Sequence, residues 1–112
     1  MKWKPIAIVV ALAVFVAVIA YEHDAPARRG EETFNRLGCS SCHFSGAGPN
    51  LTHELNKHDE AFLERFIQDP SALYTERHGQ TLNPGYMPMP NLGVSAEDAH
   101  DIVAYLKQLN KQ

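Results

Sequence analysis

Cys39-Ser40-Ser41-Cys42-His43 holds both cysteines of a 112-residue chain, three positions apart and followed at once by an imidazole. Two cysteines are too few for a disulfide framework, and too few for an all-cysteine zinc or iron-sulfur site. A zinc site would need two further ligands at suitable spacing, and a thioredoxin-like motif would need a βαβ context. The sequence around the pair supplies neither.

C-x-x-C-H is instead the attachment signature for c-type haem. Two thiols one turn apart reach the two vinyl groups along one edge of a porphyrin, and the next residue projects its imidazole toward the iron. The expectation is one covalent haem c with its iron, bound through Cys39 and Cys42 and ligated by His43.

Working outward, Pro26 suits the first turn of a helix, where its missing N–H is not needed. That helix is expected to reach Leu37, with Ala27, Gly30, Phe34 and Leu37 on one face and Gly38 ending it in a left-handed conformation. Residues 44–57 contain Gly46, Gly48 and Pro49 and read as loop, with room for a short helical turn after Asn50. A second helix is expected from His58 or Asp59, with Phe62, Leu63, Phe66 and Ile67 as its stripe, stopping before Pro70. Residues 71–94, punctuated by glycine and proline, read as largely irregular. The last helix has Ser95 as N-cap and Ile102, Val103, Tyr105, Leu106 and Leu109 as its buried face. Its acidic start and basic end (Glu97, Asp98, Asp101; Lys107, Lys111) match the helix dipole, which accounts for them by itself. No strand pattern is visible. The fold class is therefore all-α, with about three to five helices around the haem.

The N-terminal part is different in kind. Lys2 and Lys4 precede an unbroken apolar run over residues 6–20, flanked by Trp3 and Tyr21 as interface aromatics. This is the plan of an export signal or membrane anchor, and it places the rest of the chain outside the cytoplasm. An uncleaved anchor is the favoured reading and cleavage after Ala20 the alternative, giving a soluble periplasmic form. Domain boundaries follow at 1–21 for this segment and 22–112 for the haem domain, with residues 22–25 as a short polar linker. Setting Lys2 and Lys4 aside, the haem domain has 8 basic and 13 acidic side chains, a formal −5, which makes nucleic acid an unfavourable partner.

Several motifs together resemble the class I cytochromes c of the small bacterial type, over about residues 28–110. Gly30 and Phe34 sit where that family has the glycine and aromatic of a first helix crossing the last one. Gly48-Pro49-Asn50-Leu51 is similar to the family loop whose proline carbonyl accepts the Nδ1–H of the axial histidine, which implies that Pro49 orients His43. Phe62-Leu63, Ile67 and Asp69-Pro70 resemble its middle helix, and Met89-Pro90-Asn91-Leu92-Gly93 its methionine loop. One departure stands out: many relatives use a middle-region tryptophan to hold a haem propionate, whereas Trp3 is the sole tryptophan here. Arg65, Arg77, Tyr74, Tyr86 and Asn91 are the chemically suitable replacements.

Met87 and Met89 both precede proline, and either thioether could complete the iron's coordination. The spacing to Ser95 seen in relatives favours Met89, with Met87 as the alternative. Histidines 23, 53, 58, 78 and 100 follow no ligand pattern, and His78 is the strongest rival among them. A six-coordinate haem has no open position for substrate, so the resemblance implies an electron carrier with no catalytic residues. A peroxidase would need an open distal side with an acid or base above it. The expected partners are redox proteins, chiefly membrane-bound respiratory complexes at the outer face of the cytoplasmic membrane. The runner-up is a fixed cytochrome subunit of an oxidase or of a complex like nitric oxide reductase.

Overall fold

The computed structural model describes residues 4–76 and 85–111. It contains α1 (Lys4–His23), α2 (Ala25–Arg36), α3 (Cys39–His43), a 3-10 turn (Glu54–Asn56), α4 (Glu60–Gln68), α5 (Pro70–Glu76) and α6 (Ala96–Asn110). No strand occurs among the described residues, so the all-α expectation holds. Trp3, Arg77, His78, Gly79 and Pro84 lie outside the described residues.

The frame is the crossing of α2 and α6. A side chain at Gly30 would overlap the Asp101 carbonyl and come within 2.9 Å of the Ile102 amide nitrogen, so only glycine lets the two backbones approach this closely. Around that point Phe34, Ala99, Ile102, Val103 and Leu106 are buried, and α4 adds Leu63 and Ile67 to the same core. The expected faces are the observed ones, with Leu37, Tyr105 and Leu109 half-buried at the margin. The charges of α6 do more than match its dipole. Asp101 pairs with Arg29 at 3.1 Å, Asp98 with Arg36 at 3.7 Å and Lys107 with Glu60 at 2.6 Å, so they also bridge to α2 and α4. Such exposed pairs contribute little stability, about 0–1 kcal/mol each, but they agree in register with the packed face.

Helix ends follow their capping residues. Gly38 is left-handed at φ 77° and separates α2 from α3. Asp59 accepts the Phe62 N–H at 2.7 Å and Ser95 the Asp98 N–H at 3.1 Å, starting α4 and α6 where the sequence placed them. The irregular reading of residues 71–94 needs correction, because α5 occupies its first part. Asp69 Oδ1 accepts the Ala72 N–H at 3.2 Å while Pro70 stands at the first helical position, an N-terminal signature in Asp-Pro that the glycines and prolines further on obscured.

The polar linker at residues 22–25 is also corrected. α1 runs on through Glu22 to His23, and only Asp24 separates it from α2. Asp24 keeps helical angles (φ −87°, ψ −4°), receives the Arg28 N–H at 3.1 Å and gives its own to Ala20 at 3.2 Å. The break comes from Pro26, which has no N–H to continue the ladder. Arg28 covers the gap: its guanidinium donates to the Tyr21 carbonyl at 2.6 Å and lies 3.7 Å over the Tyr21 ring. α1 itself buries nothing and is long and apolar enough to cross a membrane, its 20 residues rising about 30 Å.

Candidate functional site

Beside the α2–α6 frame lies an open cavity of about 420 Å³, walled by α4, the loop after α3 and residues 86–94. Its apolar face includes Phe34, Leu51, Phe62, Leu63, Phe66 and Ile67. His58, Phe62, Phe66 and Tyr74 form a continuous aromatic wall, with ring centroids 4.5, 6.3 and 5.9 Å apart in succession. This wall was only half visible in the sequence, which gives Phe62 and Phe66 by periodicity but has no local signal that seats His58 and Tyr74 beside them.

At one edge sit the motif residues. α3 is a single short helix, so Cys39 and Cys42 both border the cavity, Cys39 buried and Cys42 exposed, with neither in a disulfide. Burial pushes the Cys39 thiol pKa up, which keeps that sulfur protonated. A neutral thiol there would suit attachment to a haem vinyl group, which would take up both the sulfur and its hydrogen.

His43 Nδ1 donates to the Pro49 carbonyl at 2.8 Å. A carbonyl can only accept, so this bond fixes the tautomer: Nδ1 carries the proton, and Nε2 keeps the lone pair that a metal requires. The loop is held to α3 by the Gly48 N–H, which donates to the Cys42 carbonyl at 2.8 Å. A Cβ on Gly48 would stand 3.5 Å from His43 Nδ1, so the loop wraps the imidazole closely. Phe34 lies 6.5 Å from the His43 ring and 5.5 Å from Tyr105, linking His43 to the helix crossing.

The methionines separate clearly. Met87 is 88% exposed, whereas Met89 is half-buried. Both border the cavity. Of the other histidines, His58 lines the cavity and stacks on Phe62, and His100 Nδ1 is 2.8 Å from Glu64 Oε1. Asn91 and Tyr74 are engaged within the chain: Asn91 bonds Asp69 and Ser71, and the Tyr74 hydroxyl receives the Met89 N–H. Tyr86 remains exposed at the cavity rim. Sequence reasoning missed Glu54, which is buried on the cavity wall with Lys57 Nζ at 3.6 Å and no hydrogen bond to its Oε1 among the described residues. Nothing in its local sequence marks it, because a glutamate opening a 3-10 turn is ordinarily solvated.

These residues fit a covalent haem. Two free thiols, an imidazole with its metal-binding nitrogen freed and a half-buried thioether border one apolar cavity, and its size is that of a cofactor site. A family model described as cytochrome c matches residues 27–110, three quarters of the chain. Neither the curated proteins nor the solved structures yield a relative that matches. From the family match, together with a cavity bordered by C-x-x-C-H, the chain belongs to the cytochrome c family as a class I c-type cytochrome, with a covalent haem c and its iron as cofactor and haem-based electron transfer as its chemistry.

Proposed function

We propose that this chain is a membrane-tethered, monohaem electron carrier whose iron is held by His43 and Met89. The observation that carries the reading is the pairing at one cavity of His43, its tautomer set by Pro49, with a half-buried Met89. When bound, the haem supplies a one-electron couple. Everything else is done by side chains. Cys39 and Cys42 fix the cofactor's edge against α3. His43, made more basic by its hydrogen bond to Pro49, would bind the iron through Nε2. Met89 would supply a thioether ligand, which would favour the reduced iron. The aromatic wall of α4 and α5 excludes water, and the exposed Met87 and Pro88 leave an apolar rim where a partner can approach without forming a permanent complex.

α1 supports the tether. Joined to α2 through Asp24 alone, it would keep the haem domain close to the outer face of the cytoplasmic membrane, so the partners are membrane-bound respiratory complexes or proteins docked there.

The ferric protein tests the ligand set. A methionine-to-ferric-iron bond gives a weak near-infrared band, which Met89→Ala should abolish while opening the iron to carbon monoxide and lowering the potential. Met87→Ala should leave the band in place. The opposite pattern transfers the assignment to Met87, and a band surviving in both variants excludes either thioether.

A further inference from the structure

We infer that Tyr74, Asn91 and Asp69 are positioning residues that hold Met89 at the iron, acting on the methionine loop from α5 and the residue that caps it. The inference rests on the assignment of Met89 as sixth ligand.

The loop has few main-chain donors of its own. Pro88 and Pro90 lack an N–H, so across residues 88–90 the Met89 N–H is the sole main-chain donor. It goes to the Tyr74 hydroxyl at 2.9 Å. A residue before proline is biased to extended conformations, so Met87 and Met89 both lie in stiff chain, and one bond at Met89 fixes which of the two faces inward. Tyr74 is a firm anchor because its ring stands edge-on to Phe66 at 5.9 Å.

Two residues further on, Asn91 supplies the second point. Its Oδ1 accepts the Ser71 N–H at 3.1 Å, and its Nδ2 donates to Asp69 Oδ1 at 3.0 Å and Ser71 Oγ at 2.9 Å. Asp69 Oδ1 also accepts from Ser71 Oγ at 2.9 Å and from the Ala72 N–H at 3.2 Å. The carboxylate that starts α5 is thus the one that grips the loop. Met89 lies between these two anchors. Met87 lies outside them and is 88% exposed.

Imidazole, which competes with the thioether for ferric iron, tests this on the haem-loaded full chain. Tyr74→Phe keeps the ring and removes the hydroxyl, and Asn91→Ala removes the second grip. Each should bind imidazole about tenfold more tightly than the parent, equivalent to about 1.4 kcal/mol, with a lower reduction potential and the same covalent haem per chain. Val103→Ala, which opens the core at a buried α6 residue that does not border the cavity, should leave imidazole affinity unchanged, so general loss of stability cannot mimic the effect. If Tyr74→Phe fails to load haem, Asn91→Ala decides. Unchanged imidazole affinity and potential in the loaded variants, with Met89→Ala still abolishing the near-infrared band, would overturn the positioning role alone. A band that survives Met89→Ala would sink the ligand assignment and the positioning role with it.

Discussion

The histidine and methionine sides of the cavity are built differently. On the histidine side every element lies within a dozen residues: Gly38 starts α3, α3 carries Cys39, Cys42 and His43, and the loop returns Pro49 to His43 six positions on. On the methionine side the bonds span 15 to 22 residues, from Asp69, Ser71 and Tyr74 to Met89 and Asn91. The first side is set by local chain geometry, and the second exists only when α5 has been placed. Local closure costs less chain entropy than distant closure, though the cost grows slowly with length. The larger difference is in dependence, since the methionine loop inherits any error in the placement of α4 and α5.

The largest test removes the histidine side altogether. Cys39→Ser or Cys42→Ser should each leave at most one thioether and reduce covalently bound haem, and the double variant should abolish it. Mass spectrometry of the parent should show one haem added to the polypeptide, and that haem should resist acid-acetone extraction. Extractable haem in the parent would break the comparison at its root, because the site would then lack its covalent side.

Legibility in the sequence follows the same division. The motif at residues 39–43, the αL glycine at 38 and the caps Asp59 and Ser95 are local signals, and each appears where its chemistry places it. The buried faces of α2, α4 and α6 follow from helical periodicity, and the Gly30 contact from a family likeness. What the sequence hid was long-range or masked by stronger signals. Tyr74 and Asn91 looked suited to haem propionates because polar side chains in a glycine- and proline-rich region carry no mark of their partners. α5 was hidden by the breakers that follow it, although Asp69-Pro70 is itself a helix start. The linker reading failed because polar composition over residues 22–25 says nothing about whether a guanidinium will cover the broken ladder, as Arg28 does.

A second test separates the frame from both sides of the cavity. In Gly30→Ala the new methyl would meet the Asp101 carbonyl, and overpacking against backbone should cost about 3 kcal/mol. Replacing a helical glycine by alanine returns about 1 kcal/mol. The net loss of about 2 kcal/mol corresponds to a fall in Tm of roughly 10 °C for a domain of this size. Thermal unfolding of the haem-loaded protein measures it. An unchanged Tm would mean that α2 and α6 do not cross at Gly30, and that the histidine side does not depend on their contact through Phe34.

The smallest effect sharpens the comparison by pH. The hydroxyl of Ser71, the Ala72 N–H and the Asn91 amide hold the Asp69 carboxyl below its ordinary value, which is about 3.9. Because the folded value is the lower one, the stabilisation from the ionised carboxylate is complete above the ordinary value and is lost as pH falls through the depressed folded value. Asp69 is exposed to solvent, so the loss should be modest and weakened further by salt. It should nevertheless fall on one side only, since the Pro49 carbonyl that holds His43 has no proton to gain in this range. Acidification of the ferric protein should therefore weaken the near-infrared methionine band before covalent attachment or helix content changes. Asp69→Asn keeps an oxygen acceptor and removes the titration, so its band should be weaker at neutral pH and flatter toward acid. If the parent and the Asp69→Asn variant gave the same acid profile, the carboxylate would not grip the loop, leaving Tyr74 and Ser71 as its anchors on α5.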